Sequence, residues 1–190
     1  MTVRDRVRWD TYYQKLSEEQ YPAPDPLLFQ VTPSVLEMGA KREYRALDLA
    51  AGLGQNGLWL ATQGYATDLL DISREALRRA QDQAARGKIR HLNYLQVDLD
   101  EVALQSEAYD LVCVFRYLKR DLFPRIRACV RPSGRVIYQT YNIHYLSRVP
   151  DFNPEFLVQP GELAGYFADW RILWNHEQDH ISQVVAIKPE

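Results

Sequence analysis

The chain has 190 residues, 46% of them hydrophobic and 25% charged, with a formal net charge of −2. A chain of this size fits one domain and buries a core without disulfide or metal support. The near-neutral balance supplies no field drawing the whole chain to nucleic acid or to a membrane surface.

Two cysteines, Cys113 and Cys129, form neither a CxxC pair nor a zinc-type spacing. They read as reduced, buried thiols, and no metal is expected. The opening stretch MTVRDRVRWDTYYQKLSEEQ lacks the apolar core of a signal peptide. No apolar run approaches the roughly 20 residues of a bilayer span. The expectation is a cytoplasmic protein without a membrane partner.

Residues 4–17 place Val7, Trp9, Tyr12, Tyr13 and Leu16 at helical spacing. The prolines of YPAPDP (21–26) end that helix. Leu27 to Met38 predicts a second helix. Residues 1–40 thus read as a helical lid or cap segment, and 41–190 as the core of a single domain. RALDLA (45–50) is a short apolar strand entering a glycine-rich turn. Gln55–Gln63 is helical, with Gly64 at its stop. Ala66–Leu70 is the next strand. Ser73 caps a helix whose inner face carries Ala76, Leu77, Ala80 and Ala84 and which Gly87 ends.

Tyr94–Leu99 predicts a third strand and Asp110–Phe115 a fourth, apolar enough for burial on both faces. Leu122–Val130 is a helix with Pro124 in its first turn. Pro132–Gly134 is a turn and Arg135–Tyr141 a fifth strand. Residues 142–160 read as irregular and Gly161–Ala168 as a short helix. Arg171–Glu177 and Ile181–Ile187 are strands joined too tightly for a crossover, so they must be antiparallel. Alternating strands and helices imply a parallel sheet with right-handed crossovers. The fold class is α/β, Rossmann-like.

The segment DLAAGLGQNG (48–57) follows a strand and precedes a helix. Glycines there let backbone approach a nucleotide-like ligand. Asp71 follows Gly52 at the end of the second strand, where a carboxylate accepts from both ribose hydroxyls. Asp48, at the first strand's end, would repel a pyrophosphate and attract an ammonium and a sulfonium. Asp98 and Leu99 suit an adenine amino group and ring face. The tips of the first three strands are thus expected to converge on a crevice for a cationic adenosyl ligand.

The run ALDLAAGLGQNGLWLATQGYATDLLDIS, with YDLVCVFRYL and RACVRPSGRVIYQTYN, resembles the class I S-adenosylmethionine-dependent methyltransferases. VFRYL and NPEFLVQPGEL are similar to a bacterial branch related to tellurite-resistance methyltransferases. The resemblance implies a seven-stranded, mostly parallel sheet with an antiparallel last strand and helices on both faces. It implies S-adenosylmethionine as cofactor and S-adenosylhomocysteine as product. Asp48, Ala50, Gly52 and Asn56 would border the methionine moiety, Asp71 the ribose, and Asp98 and Leu99 the adenine. Phe115 would border the methyl group, and Ala51, Gly54 and Ile72 complete the cofactor-binding set. The family usually carries Gly where this chain has Ala50.

Methyl transfer from a sulfonium mainly requires the acceptor to be held in line, so no particular catalytic residue is required. Trp9, Tyr13, Arg116, Tyr117, Tyr141 and His144 are the pocket candidates. Aromatic faces stabilise a sulfonium, Arg116 suits an anionic acceptor, and His144 suits a base. No Asn/Asp-Pro-Pro-Tyr string follows the fourth strand, which argues against adenine-N6 methylation. The basic residues Arg74, Arg78, Arg79, Arg86, Lys88 and Arg90 read as a solvated helix face rather than an RNA site. The leading reading is methyl transfer to a small-molecule acceptor. A nicotinamide-dependent oxidoreductase and a non-catalytic cofactor-binding interaction protein stay open.

Overall fold

The computed structural model describes residues 3–17, 21–36 and 42–190. Their contacts divide the chain into two compact units, residues 1–103 and 104–190. Among the described residues seven strands form one sheet, in the order β3 (Leu92–Gln96), β2 (Ala66–Asp71), β1 (Arg45–Leu49), β4 (Tyr109–Phe115), β5 (Val130–Tyr141), β7 (Ile181–Ile187), β6 (Arg171–Gln178).

In the first unit, β1 (Arg45–Leu49) and β2 (Ala66–Asp71) bury nearly every residue on both faces. β3 (Leu92–Gln96) is half-exposed, as a sheet edge allows. All pair in parallel, Arg45 opposite Ala66 and Thr67 opposite Leu92. The crossovers are α3 (Gln55–Thr62) and α4 (Arg74–Gly87). Ser73 caps α4, its side chain accepting from the Ala76 N–H, as its position predicts. Ala76, Leu77, Ala80 and Ala84 are buried; Leu77, Ala80 and Ala84 pack with Ala51, Leu58 and Leu69.

Two predicted elements of this unit come out differently. The second helix, α2, spans only Pro26–Val31. Thr32 is extended because Pro33 follows it and excludes the helical region. Met38, its expected end, lies outside the described residues, as does part of the 1–40 lid segment. The third strand lies earlier than the apolar run Tyr94–Leu99 suggests. Val97 still donates to the Asp71 carbonyl at 3.0 Å, but Asp98 then turns the chain, accepting from Glu101 and Val102. Asp98 and Leu99 therefore follow the strand instead of ending it. Ahead of the sheet, α1 (Val3–Lys15) forms as predicted, yet buries no residue completely.

In the second unit, β4 (Tyr109–Phe115) and β5 (Val130–Tyr141) are parallel and flank α5 (Phe123–Cys129). The turn Pro132–Gly134 does not precede β5 but forms an irregularity within it. Tyr109 faces Val130 while Leu111 faces Arg135. After α6 (Glu162–Gly165), β6 (Arg171–Gln178) and β7 (Ile181–Ile187) form the expected antiparallel hairpin. β7 lies antiparallel to β5. Phe123 anchors this core, stacked on Tyr166 at 3.6 Å and on Tyr138 at 5.1 Å. Arg120 straps the irregular segment down. It pairs with both Glu162 oxygens at 2.7 and 3.0 Å and donates to the carbonyls of Glu155 and Leu157.

Candidate functional site

The glycine turn of the first unit is tightly constrained. Ala50, Gly52 and Gly54 all adopt left-handed backbone, at φ +57°, +55° and +77°. Gly54 has a second constraint, since a Cβ there would lie 2.5 Å from the Leu69 side chain. Close α3–β2 approach therefore requires glycine. Ala50 carries a methyl group in a conformation that strains L-residues.

Two buried carboxylates hold this turn from below. Asp48 is 1% exposed and its Oδ2 accepts from the Gly57 N–H at 2.7 Å. Asp71 is 8% exposed; its Oδ2 accepts from Gly52 N–H and its Oδ1 from Ser73 N–H, both at 2.8 Å. Burial pushes the Asp71 carboxyl above its usual range, those N–H donors oppose it, and the nearby Asp10 adds to it. A carboxylate has about four acceptor sites, so these bonds leave capacity for a ligand's hydroxyls. Asn56, Ala51 and Ile72 are buried beside the turn. Asn56 accepts from the Asp25 N–H at 2.8 Å. Leu99 is buried, and the Asp98 carboxylate accepts from Asp100 N–H at 2.9 Å.

Helix α1 lies over this loop, and sequence reasoning missed what holds it there. Asp10 accepts from the Ser73 hydroxyl at 2.7 Å and from the Glu75 N–H at 3.1 Å, adding a second cap to α4. Arg79 is 9% exposed, not solvated as the basic stretch suggested. It donates to the carbonyls of Tyr13 (2.8 Å), Leu16 (3.1 Å) and Ser17 (3.2 Å), the open C-terminal end of α1. A helical wheel held the signal, because Arg79 flanks Ala76 and Ala80 on the buried face. Tyr13 thereby sits over the turn, its hydroxyl oxygen 2.7 Å from where a Gly52 Cβ would be. Tyr21 donates to the Leu53 carbonyl, and its hydroxyl's pKa is raised by burial and by the Asp48 charge. Trp9 stacks on Tyr13 with centroids 6.1 Å apart.

The remaining candidates belong to the second unit. Phe115 ends β4 and is buried. Arg116 follows at φ +57°, its N–H donating to the Gln139 carbonyl. The Tyr117 carbonyl accepts from the Tyr138 hydroxyl at 2.9 Å. Tyr141 is half-buried, which raises its pKa against the opposing charge of Arg116. It stacks on Tyr145 at 4.2 Å. His144 is exposed in a 3-10 turn spanning Ile143–Ser147. Among the described residues no cluster of three His, Cys, Asp or Glu side chains is placed to hold a metal. No described helix is long and apolar enough to cross a membrane.

Known proteins agree with this geometry. A family model described as a methyltransferase domain matches residues 46–134, the segment that starts in β1 and contains the glycine turn. Hemagglutinin 1 of Eikenella corrodens is 31% identical over 138 residues, 68% of this chain and 44% of that protein. The tRNA 5-carboxymethoxyuridine methyltransferase of Escherichia coli K12 is 27% identical over 127 residues, 63% of this chain and 49% of that protein. The chain thus spans about half the length of these curated relatives. Among solved structures, one from a study of disulfide-to-thioacetal conversion in echinomycin biosynthesis gives a TM-score of 0.73. It has 19% identity and covers 97% of this chain and 92% of its own. TehB of Haemophilus influenzae gives 0.72 with 15% identity, over 95% and 67%. These two likenesses carry the fold alone. Over residues 46–134 the chain is thus similar to a methyltransferase domain, and its strand order and structural neighbours give it the fold of the S-adenosylmethionine-dependent methyltransferases.

Proposed function

We propose that this chain transfers a methyl group from S-adenosylmethionine to a small-molecule acceptor. The observation that carries the reading is one loop, left-handed at Ala50, Gly52 and Gly54 and tied to two buried carboxylates on neighbouring strands. The donor set fits the cofactor's chemistry. Acidic side chains suit an ammonium, a sulfonium and ribose hydroxyls, and would repel the pyrophosphate of a dinucleotide. Bound S-adenosylmethionine supplies a sulfonium methyl group for in-line displacement.

This chain's own residues bind and cover. Asp71 accepts the ribose hydroxyls with the lone pairs left free by Gly52 and Ser73. Asp48 and the turn's backbone receive the methionine moiety, and Asp98 with Leu99 the adenine. Trp9 and Tyr13 act as a lid, because α1 lies across the loop and is tied down by Asp10 along its side and by Arg79 at its C-terminal end. Phe115 keeps the place by the methyl group that the family resemblance implies, and Arg116, Tyr117, Tyr141 and His144 stay pocket candidates on the strength of their chemistry. Net charge −2 favours a small acceptor over a polyanion.

A thermal-shift series with S-adenosylhomocysteine, NAD and NADP tests the reading. The homocysteine ligand at about 100-fold excess over its Kd should raise Tm by roughly 5 °C or more. NAD and NADP should leave it unchanged. Stabilisation by NAD alone would favour the oxidoreductase instead.

A further inference from the structure

The second unit holds a cavity of about 580 Å³ that includes the pocket candidate His144 but none of the residues assigned to the cofactor. Its walls are the chain following β5 and the β6–β7 hairpin, with Asn142, His144, Arg148, Glu177, Asp179 and His180 among the lining residues. Backbone bonds hold the walls together. The Asn142 N–H donates to the His180 carbonyl at 3.0 Å. Asn142 is 3% exposed and its side chain accepts from the His144 N–H at 3.0 Å. Glu177 Oε1 is held by the Gly161 N–H at 2.9 Å. The volume is that of a small-molecule site.

These walls carry both exposed charges and one buried polar atom without a partner. Among the described residues, the side chains of His144, Arg148 and Asp179 have no hydrogen-bonding or ionic partner. His180 Nδ1 is buried from solvent and also lacks one. Most buried polar atoms are satisfied, and an exception calls for a partner. The His180 ring also joins an aromatic group, 5.6 Å from Tyr145 and 6.0 Å from Tyr141. Tyr145 packs edge-on against Phe152 at 5.1 Å.

We propose that this cavity binds a small zwitterion, a compound carrying one carboxylate and one ammonium, such as an α-amino acid with a flat side chain. Arg148 receives the carboxylate through charge-assisted hydrogen bonds. Asp179 and Glu177 receive the ammonium, and the flat group packs on the His180 ring. A phosphate or dicarboxylate would meet two acids on the same walls, and a simple cation would meet Arg148. Only a ligand with both signs pairs both sets of charges. The inference concerns residues 142–180 alone and does not depend on S-adenosylmethionine binding.

The test uses three probes of one shape on the isotopically labelled full chain, followed by NMR. L-Phenylalanine carries both charges, 3-phenylpropanoate only the carboxylate, and 2-phenylethylamine only the ammonium. Phenylalanine should shift the amides of 142–148 and 177–181 saturably and bind about 10-fold tighter than either single-charge analogue. Arg148→Gln should weaken phenylalanine while leaving 2-phenylethylamine unchanged or bound more tightly, since the opposing charge is gone. Asp179→Asn should weaken phenylalanine while leaving 3-phenylpropanoate unchanged or bound more tightly. Asparagine tolerates the φ of +51° at that turn, so the hairpin stays formed. Absence of a saturable shift with phenylalanine overturns the proposal. So does equal affinity for either analogue, or unchanged phenylalanine affinity in both variants.

Discussion

At Ala50 a single methyl group opposes the backbone that the turn requires. A non-glycine residue at φ +57° is strained by about 1–2 kcal/mol, partly offset by the entropy glycine would lose on folding. Ala50→Gly should therefore stabilise the protein by about 0.5–1 kcal/mol, read as a higher denaturant midpoint at constant slope. A lower midpoint would mean that the methyl makes contacts outweighing the strain. Asp71 gives a second expectation. Asp71→Ala should weaken S-adenosylmethionine about 10-fold or more by calorimetry, since a charged acceptor of two hydroxyls is lost. Unchanged affinity would reject the ribose role. The pH dependence has a definite sign. Burial raises the folded-state pKa, so this carboxyl's stabilising contribution is full below the ordinary carboxylate pKa. It is lost as pH rises through the raised value. Ligand affinity should rise over the same window as the carboxylate forms. Asp71→Asn should flatten both profiles.

Helix α1 illustrates how an element with little burial of its own is still placed. Its aromatic residues are half-exposed or exposed, with Tyr12 at 51%. Its position rests on Asp10 at one side and Arg79 at its C-terminal end. Arg79→Ala should release it. Amide exchange across residues 3–17 should quicken by roughly 10-fold or more, as charge-assisted bonds to three carbonyls vanish. Exchange in β1 and β2 should stay slow. Uniform loss of protection would make Arg79 a general core residue rather than the tether of α1. Other elements were legible from local pattern alone. The alanine stripe and Ser73 specified α4, and the short Glu177–Ile181 connection required an antiparallel hairpin. The ends of α2 and β3 were less legible. A proline two residues past α2 and a turn at Asp98 overrode apolar runs that looked longer.

On the scale of the whole chain, charge and topology make separate statements. Net charge −2 gives no general attraction for polyanions. Bulk tRNA should bind no tighter than about 10 μM at near-physiological salt in a gel-shift titration. Saturable binding well below that would make RNA the acceptor class, as the name of the Escherichia coli relative indicates for that protein.

The sequence by itself determined the strand–helix alternation, the glycine turn, the acids at the strand ends and the reversed last strand. Each is written in residues close together in the chain, where spacing and backbone preference act. Only the tertiary structure decided that Arg79 meets the C-terminal carbonyls of α1, that Asp10 caps a helix 63 residues away, and that Arg148, Asp179 and His180 share one cavity. The reason is physical. An isolated charged side chain carries no mark of its partner, and the partner is chosen by which surfaces the packed core brings together.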